Sequence, residues 1–280
     1  MKTAIVYIDL SKRSKTILEF VMHLRRFIPL DVHLVYNIND YAIQPFQTAE
    51  MYPGEPIESI VLDDRNQIKQ KVNKFIEESS CWGKTQLKEN LEIETGPLFE
   101  TIQNLAYRQE TFVIVPEVDE SVAFKKLNKF ENFDILEEVR IPTLIVPNNF
   151  HFQLFQSIIF VTNFNNKDIE ALEFINKLAL PINARIHIIH VTEKKNDLVQ
   201  GRLRQLKDKV SYLMEESAIN FTYEAIVSKH HFQTIQDVAE DRKAGMVVFQ
   251  EFLLKFMLGK TLSNGTMVTS RLPMLVYNKR

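Results

Sequence analysis

The sequence predicts an α/β fold made of two tandem open parallel sheets, each of five strands with helices on both faces. Three observations carry that prediction. Residues 4–38 recur, without a gap, 154 positions later: AIVYIDLSKRSKTILEFVMHLRRFIPLDVHLVYNI becomes IIFVTNFNNKDIEALEFINKLALPINARIHIIHVT. Asp9 falls on Asn163, Leu18-Glu19-Phe20 on Leu172-Glu173-Phe174, and His33 on His187. Each copy is an apolar run, a polar turn, an amphipathic segment and a second apolar run, which is the strand–helix–strand unit of a parallel sheet. Later echoes keep the same order: Thr101–Ala106 (TIQNLA) matches Thr234–Ala239 (TIQDVA), and Arg140-Ile141-Pro142 matches Arg271-Leu272-Pro273.

In the first copy, Ile5–Ile8 reads as a buried strand that ends at Asp9-Leu10-Ser11. The residues 14–27 read as a helix, because Ile17, Phe20, Val21, Leu24 and Phe27 recur at spacings of three and four. Val32–Tyr36 is the second strand. Asn39–Pro56 is rich in Pro, Tyr and Gln and reads as a long loop over the sheet edge. Helical spacing returns over 57–79 through Ile60, Val61, Ile68, Val72, Phe75 and Ile76. Leu91–Glu94 is the third strand, punctuated by Gly96-Pro97, and a helix follows over 99–107. Phe112–Val115, β-branched and aromatic, is the fourth strand. A charged helix spans 120–138, and Thr143–Val146 is the fifth strand. The second copy repeats the series with strands at Ile158–Val161, 185–191, Phe221–Val227, Met246–Phe249 and Met274–Tyr277. Its helices are predicted over 167–180, 198–217, 232–241 and, around Gly259, to Ser270. The predicted domains are residues 1–148 and 157–280, joined by a linker at 149–156. A mostly parallel sheet of this kind is covered on both faces.

Composition excludes several classes. The chain has 280 residues, 45% of them apolar and 25% charged, which is ordinary for a globular protein of two domains. No apolar run nears the roughly 20 residues that span a bilayer, and no charged leader with an apolar core opens the chain, so neither a membrane nor a secretory signal is expected. The single Cys81 excludes an internal disulfide and a cysteine metal cluster. A reducing, cytoplasmic compartment is therefore expected. A net charge of −2 argues against a nucleic-acid partner, which favours a basic face. Charge divides unevenly: residues 1–156 carry 17 Lys and Arg against 23 Asp and Glu, and residues 157–280 carry 17 against 13. An anion would suit the second half better.

Ligands in open parallel sheets sit beyond the C-terminal strand ends, where strand order reverses. The candidate turns follow strands one, two and four. These are Asp9–Ser11, Asn37–Asp40 and Pro116–Ser121 in the first copy, and Asn163–Asn165, Val191–Glu193 and Gln250–Thr261 in the second. With its strand–turn–Asp opening, its Gly96-Pro97 and Ile102…Ala106 segment and its closing Arg140–Val146 (RIPTLIV) and Arg271–Tyr277 (RLPMLVY), the chain resembles the universal stress proteins in tandem form. The resemblance covers nearly the whole chain twice. It implies a fold of the adenine-nucleotide-hydrolase-like kind, and two domains packed as an internal pseudo-dimer near the two closing strands. It also implies a link to stress response, a possible further homodimer, and ATP as the one candidate cofactor. In nucleotide-binding members an acid follows strand one near adenine and ribose, and backbone after strand two lies near adenine. After strand four, Gly-x2-Gly-x9-Gly-Ser/Thr surrounds the phosphates, because bare backbone lets N–H groups approach them.

The chain departs from that pattern in both copies. Between Pro116 and Arg140 there is no glycine, so the copy that keeps Asp9 lacks the phosphate loop. The second copy keeps Gly259-Lys260-Thr261 and Asn264-Gly265-Thr266, but Gln250 and Leu253 stand near the first glycines, and Asn163 replaces the acid. Leu254 also breaks any P-loop pattern. The candidate ligand residues are accordingly Asp9, Asn163, Val191, Gly259, Lys260 and Thr261. His230-His231 lies at a ligand-side turn without the acids or cysteines of a metal set. His190 and His187 read as sheet residues, Cys81 as inert, Asp63-Asp64 and Glu215-Glu216 as solvated helix faces, and Phe249–Phe256 as core or a partner face. No Gly-x-Ser-x-Gly elbow occurs, and no base or metal-holding carboxylate is identifiable, so no catalytic residue is assigned and no enzyme activity is expected. The leading expectation is a regulatory or interaction protein with degenerate nucleotide sites. The alternative is a sensor of ATP or another anion that uses the second domain.

Overall fold

The structure, a computed structural model, describes residues 2–38, 57–79, 83–95, 98–106, 111–116, 141–147, 150–152, 156–214, 219–250 and 271–278. Two compact units separate, Met1–Pro116 in the first and Arg140–Arg280 in the second, apart from the segment 117–139, which lies outside the described residues.

The first unit runs β1 (Lys2–Ile8), α1 (Lys12–Leu24), β2 (Leu30–Ile38), α2 (Ile57–Glu78), α3 (Lys84–Glu89), β3 (Leu91–Thr95), α4 (Leu98–Ala106) and β4 (Thr111–Pro116). Its strands lie in the order β3-β2-β1-β4 and are parallel at each pairing. Ala4, Ile5, Val6 and Ile8 are fully buried because β1 is central and covered on both faces. Helix α1 is capped by Ser11, whose side chain accepts the Ser14 amide. It buries Ile17, Phe20, Val21 and Leu24, the stripe that the spacing predicts. Phe27 is not part of that stripe: the helix ends at Leu24 and leaves Phe27 38% exposed. The short α3 carries only Leu87 into the core and is too brief for periodicity to reveal.

In the second unit the elements are β5 (Thr143–Val146), β6 (Ser157–Val161), α5 (Asp168–Ala179), β7 (Arg185–Thr192), α6 (Asp197–Leu213), β8 (Phe221–Val227), α7 (His231–Asp241), β9 (Ala244–Gln250) and β10 (Met274–Tyr277), with a 3-10 turn at Leu180–Ile182. The strand order is β5-β10-β9-β6-β7-β8. All pairings are parallel except β5 with β10, where Leu144 faces Leu275. The last strand of the first copy thus closes the sheet of the second. The physical reason is the open edge: β10 would otherwise present unpaired N–H and C=O groups beside an apolar surface, and the apolar TLIV segment satisfies them. Central β6 and β9 are buried throughout, whereas edge strand β8 is half-exposed. The predicted loop at Asn39–Pro56, the charged helix over 120–138 and the segment from Gly259 to Ser270 lie outside the described residues.

Candidate functional site

Both strand orders contain a reversal. From β1 the chain goes outward to β2 and β3 and then returns to β4 on the other side; from β6 it goes to β7 and β8 and returns to β9. The C-terminal ends of β1 with β4, and of β6 with β9, are therefore the crevices where this architecture holds ligands.

In the first unit Asp9 stands at the end of β1, and its carboxylate turns back on its own chain. Oδ1 accepts the Ser11 amide at 2.9 Å and the Ser14 hydroxyl at 2.6 Å, while Ser14 Oγ accepts the Asp9 amide at 2.9 Å. Leu10 between them adopts φ 62°, a left-handed conformation that the side-chain bonds hold in place. Partial burial pushes the Asp9 carboxyl up, but the hydrogen bonds from Ser11 and Ser14 outweigh it and hold the group below its ordinary range. Asp9 therefore shapes a turn.

The second unit repeats that backbone with different chemistry. Phe164, at the place of Leu10, has the same φ of 62°. Asn163 does the turn work of Asp9, its Oδ1 accepting the Asn165 amide at 3.2 Å. The acid that the sequence comparison reports as missing has moved. Asp168 takes the place of Ser14, and Thr162 brings a hydroxyl to the place of Ile8. Thr162 Oγ1 donates to Asp168 Oδ2 and accepts the Phe164 amide at 2.9 Å. Gln250, the last residue of β9, donates its side-chain amide to Asp168 Oδ1. Thr162, Asp168 and Gln250 are all buried. The result is a bridge from the end of β6 to the end of β9, across the crevice.

Burial pushes the Asp168 carboxyl up to about 6 against the opposing pull of Thr162, the Asn165 and Phe164 amides, and Gln250. A carboxyl near that value exchanges its proton close to neutrality. Beside it, His190 Nδ1 donates to the Thr162 carbonyl at 2.8 Å, and its ring lies 4.6 Å from that of Phe164. Burial pushes His190 down, and the Arg202 charge adds to this against the Thr162 bond.

Of the six candidate ligand residues, Asp9, Asn163 and Val191 are described. Asp9 and Asn163 serve turns, and the buried Val191 side chain packs in the sheet. Gly259, Lys260 and Thr261 lie outside the described residues, as does Cys81. His230 is exposed just ahead of α7, and among the described residues no three of His, Cys, Asp and Glu gather as a metal set. Sequence reasoning missed Thr162, Asp168 and Gln250 as a group. The signal was present in the paired substitutions of Ile8 by Thr162 and Ser14 by Asp168.

No family model matches the sequence, and no curated protein matches it. Solved structures do. A universal stress protein from Archaeoglobus fulgidus DSM 4304 superposes with a TM-score of 0.65 at 16% identity, covering 99% of this chain and 96% of that one. A Pseudomonas aeruginosa UCBPP-PA14 protein assigned to the universal stress proteins superposes at 0.51 and 10% identity, covering 98% and 92%. The chain has the universal stress protein fold. No helix among the described residues is long and apolar enough to cross a membrane.

Proposed function

We propose that the chain is a tandem universal stress protein that works by regulatory contact, in the cytoplasm, rather than by catalysis or nucleotide turnover. The observation that carries this reading is the Thr162–Asp168–Gln250 bridge. It spends the polar groups of both crevice-forming strand ends on one another and sets a buried carboxyl there. A triphosphate would have to displace the Gln250 amide and lie near an acid, and each step costs affinity. In the first unit Asp9 is spent on its own turn in the same way.

Isothermal calorimetry of the full chain with ATP and magnesium tests the reading. The expected result is no saturable heat, together with purified protein free of co-purifying nucleotide by mass spectrometry. A tight stoichiometric ATP complex would overturn it. Phosphate release that persists through purification and disappears on Lys260→Ala would overturn the non-catalytic part.

A further inference from the structure

The opposite end of the second sheet holds a second polar cluster. Ser157 opens β6, Arg185 opens β7, and Arg242 stands just before β9. Together with Gln156, Asn183 and His187 they line a cavity of about 510 Å³. Volumes of roughly 300–1,000 Å³ suit small-molecule ligands. Two guanidinium groups line the cavity, and among the described residues no carboxylate does.

The cluster is fixed by its neighbours. Arg242 donates from Nη1 to His187 Nδ1 at 3.0 Å and from Nη2 to Glu224, while Ser157 Oγ donates to the Arg242 carbonyl at 2.7 Å. A guanidinium can only donate, so His187 Nδ1 is an acceptor, with Thr222 Oγ1 also 2.6 Å away. The ring is therefore neutral, and its proton sits on Nε2 as a further donor. Burial, then the Arg242 and Arg185 charges, push its pKa down to about 4. Glu224 balances Arg242, but among the described residues Arg185 has no carboxylate partner.

His33 is the equivalent histidine in the first copy, and there Asp31 Oδ2 lies 3.0 Å from Nε2 and Glu92 Oε1 3.8 Å from Nδ1. Asp31 is the equivalent of Arg185. The same backbone position is acidic in one unit and basic in the other. A purely structural histidine is served by the first arrangement, whereas the second leaves Arg185 at the cavity without a counter-charge among the described residues.

We propose that this cavity binds a small molecule through an oxyanion group, phosphate or carboxylate, held between Arg185 and Arg242 with donors from His187 and Asn183. The planar guanidinium fork suits either group. The remaining volume leaves room for an organic substituent.

The test follows the His187 imidazole by NMR in the full chain at pH 7 and constant ionic strength, titrating with inorganic phosphate in one arm and malonate in the other. A saturable shift in either arm is expected, and the stronger arm identifies the anion class. Arg185→Gln, an exposed change that breaks no described bond, should weaken that binding about tenfold or more, as loss of a charge-assisted bond does. Arg185→Asp, the first copy's residue, should abolish it, and Lys177→Gln on α5 should leave it unchanged. An imidazole signal indifferent to both anions, or a response that survives Arg185→Gln, would overturn the proposal.

Discussion

Replacing Asp168 by Asn should change how stability depends on pH, and the structure gives the size. The carboxyl is raised from 3.8 to about 6 chiefly by burial. Folding therefore favours the protonated form. The stability that Asp168 contributes is full below about pH 3.8, declines as pH rises, and is lost once pH passes through about 6. A shift of this size corresponds to about 3 kcal/mol. Asparagine does not titrate, so the difference in unfolding free energy between Asp168→Asn and the parent should drift in the variant's favour by up to ~3 kcal/mol across that window. Urea unfolding of both proteins at closely spaced pH values from 4 to 7.5 measures the drift, and subtracting one curve from the other removes every other titrating group. The absolute offset depends on how Thr162 and Gln250 re-pair with the amide, but the slope does not. A difference constant with pH would refute the reasoning, because it would mean that Asp168 titrates in the native state as it does in water.

The remaining predictions concern groups with named partners. Ser14→Ala removes a fully buried hydroxyl that bonds both the amide and the carboxylate of Asp9, so it should cost about 1–3 kcal/mol in denaturant unfolding and raise the Asp9 pKa toward its ordinary value. His187→Gln should flatten the acid side of the stability curve. The neutral His187 contributes stability that is present above about pH 6.5 and lost as pH falls through about 4, so the parent should weaken relative to the variant over that interval. Gly83→Ala should destabilise by about 1–2 kcal/mol in the same assay, because φ is +71° there and the new methyl would meet Met22 Cε at 2.8 Å.

Much of the architecture was legible because the repeat is written in the residues that make strands. The Thr143–Val146, Phe221–Val227 and Met274–Tyr277 strands coincide with their predicted spans, and the other strands extend theirs by one to three residues at an end. Apolar periodicity reports which residues leave water, and it reports that well for buried strands. It says nothing about which neighbour a closing strand takes, so the antiparallel pairing of Thr143–Val146 with Met274–Tyr277 had to come from the fold. The site was less legible for a similar reason. Matching identities along the repeat showed Asp9 against Asn163 and suggested a lost acid. The chemistry had instead been passed to residues five positions on and one position back, and only their proximity makes Thr162 and Asp168 a pair.

That exchange bears on what the duplication preserves. The left-handed residue after β1 and after β6 has the same φ although it is Leu10 in one copy and Phe164 in the other, so the turn is set by side-chain bonds around it rather than by its own identity. A hydroxyl and a carboxyl take part in both copies, but from different positions, and in the second the Asn163 side-chain amide holds the turn as well. In the first unit the carboxyl is at the turn and stays ionised. In the second it is inside, at the start of α5, where it can also reach Gln250 on the far side of the crevice. The relocation keeps the turn and adds a cross-strand link that the first arrangement cannot make from the β1 end. At the other end of the sheets the histidine is kept while one neighbouring position inverts in charge, Asp31 in the first unit and Arg185 in the second. The two units therefore share a backbone and differ at both sheet edges. A ligand or partner that reads one unit's edge should not be expected to read the other's.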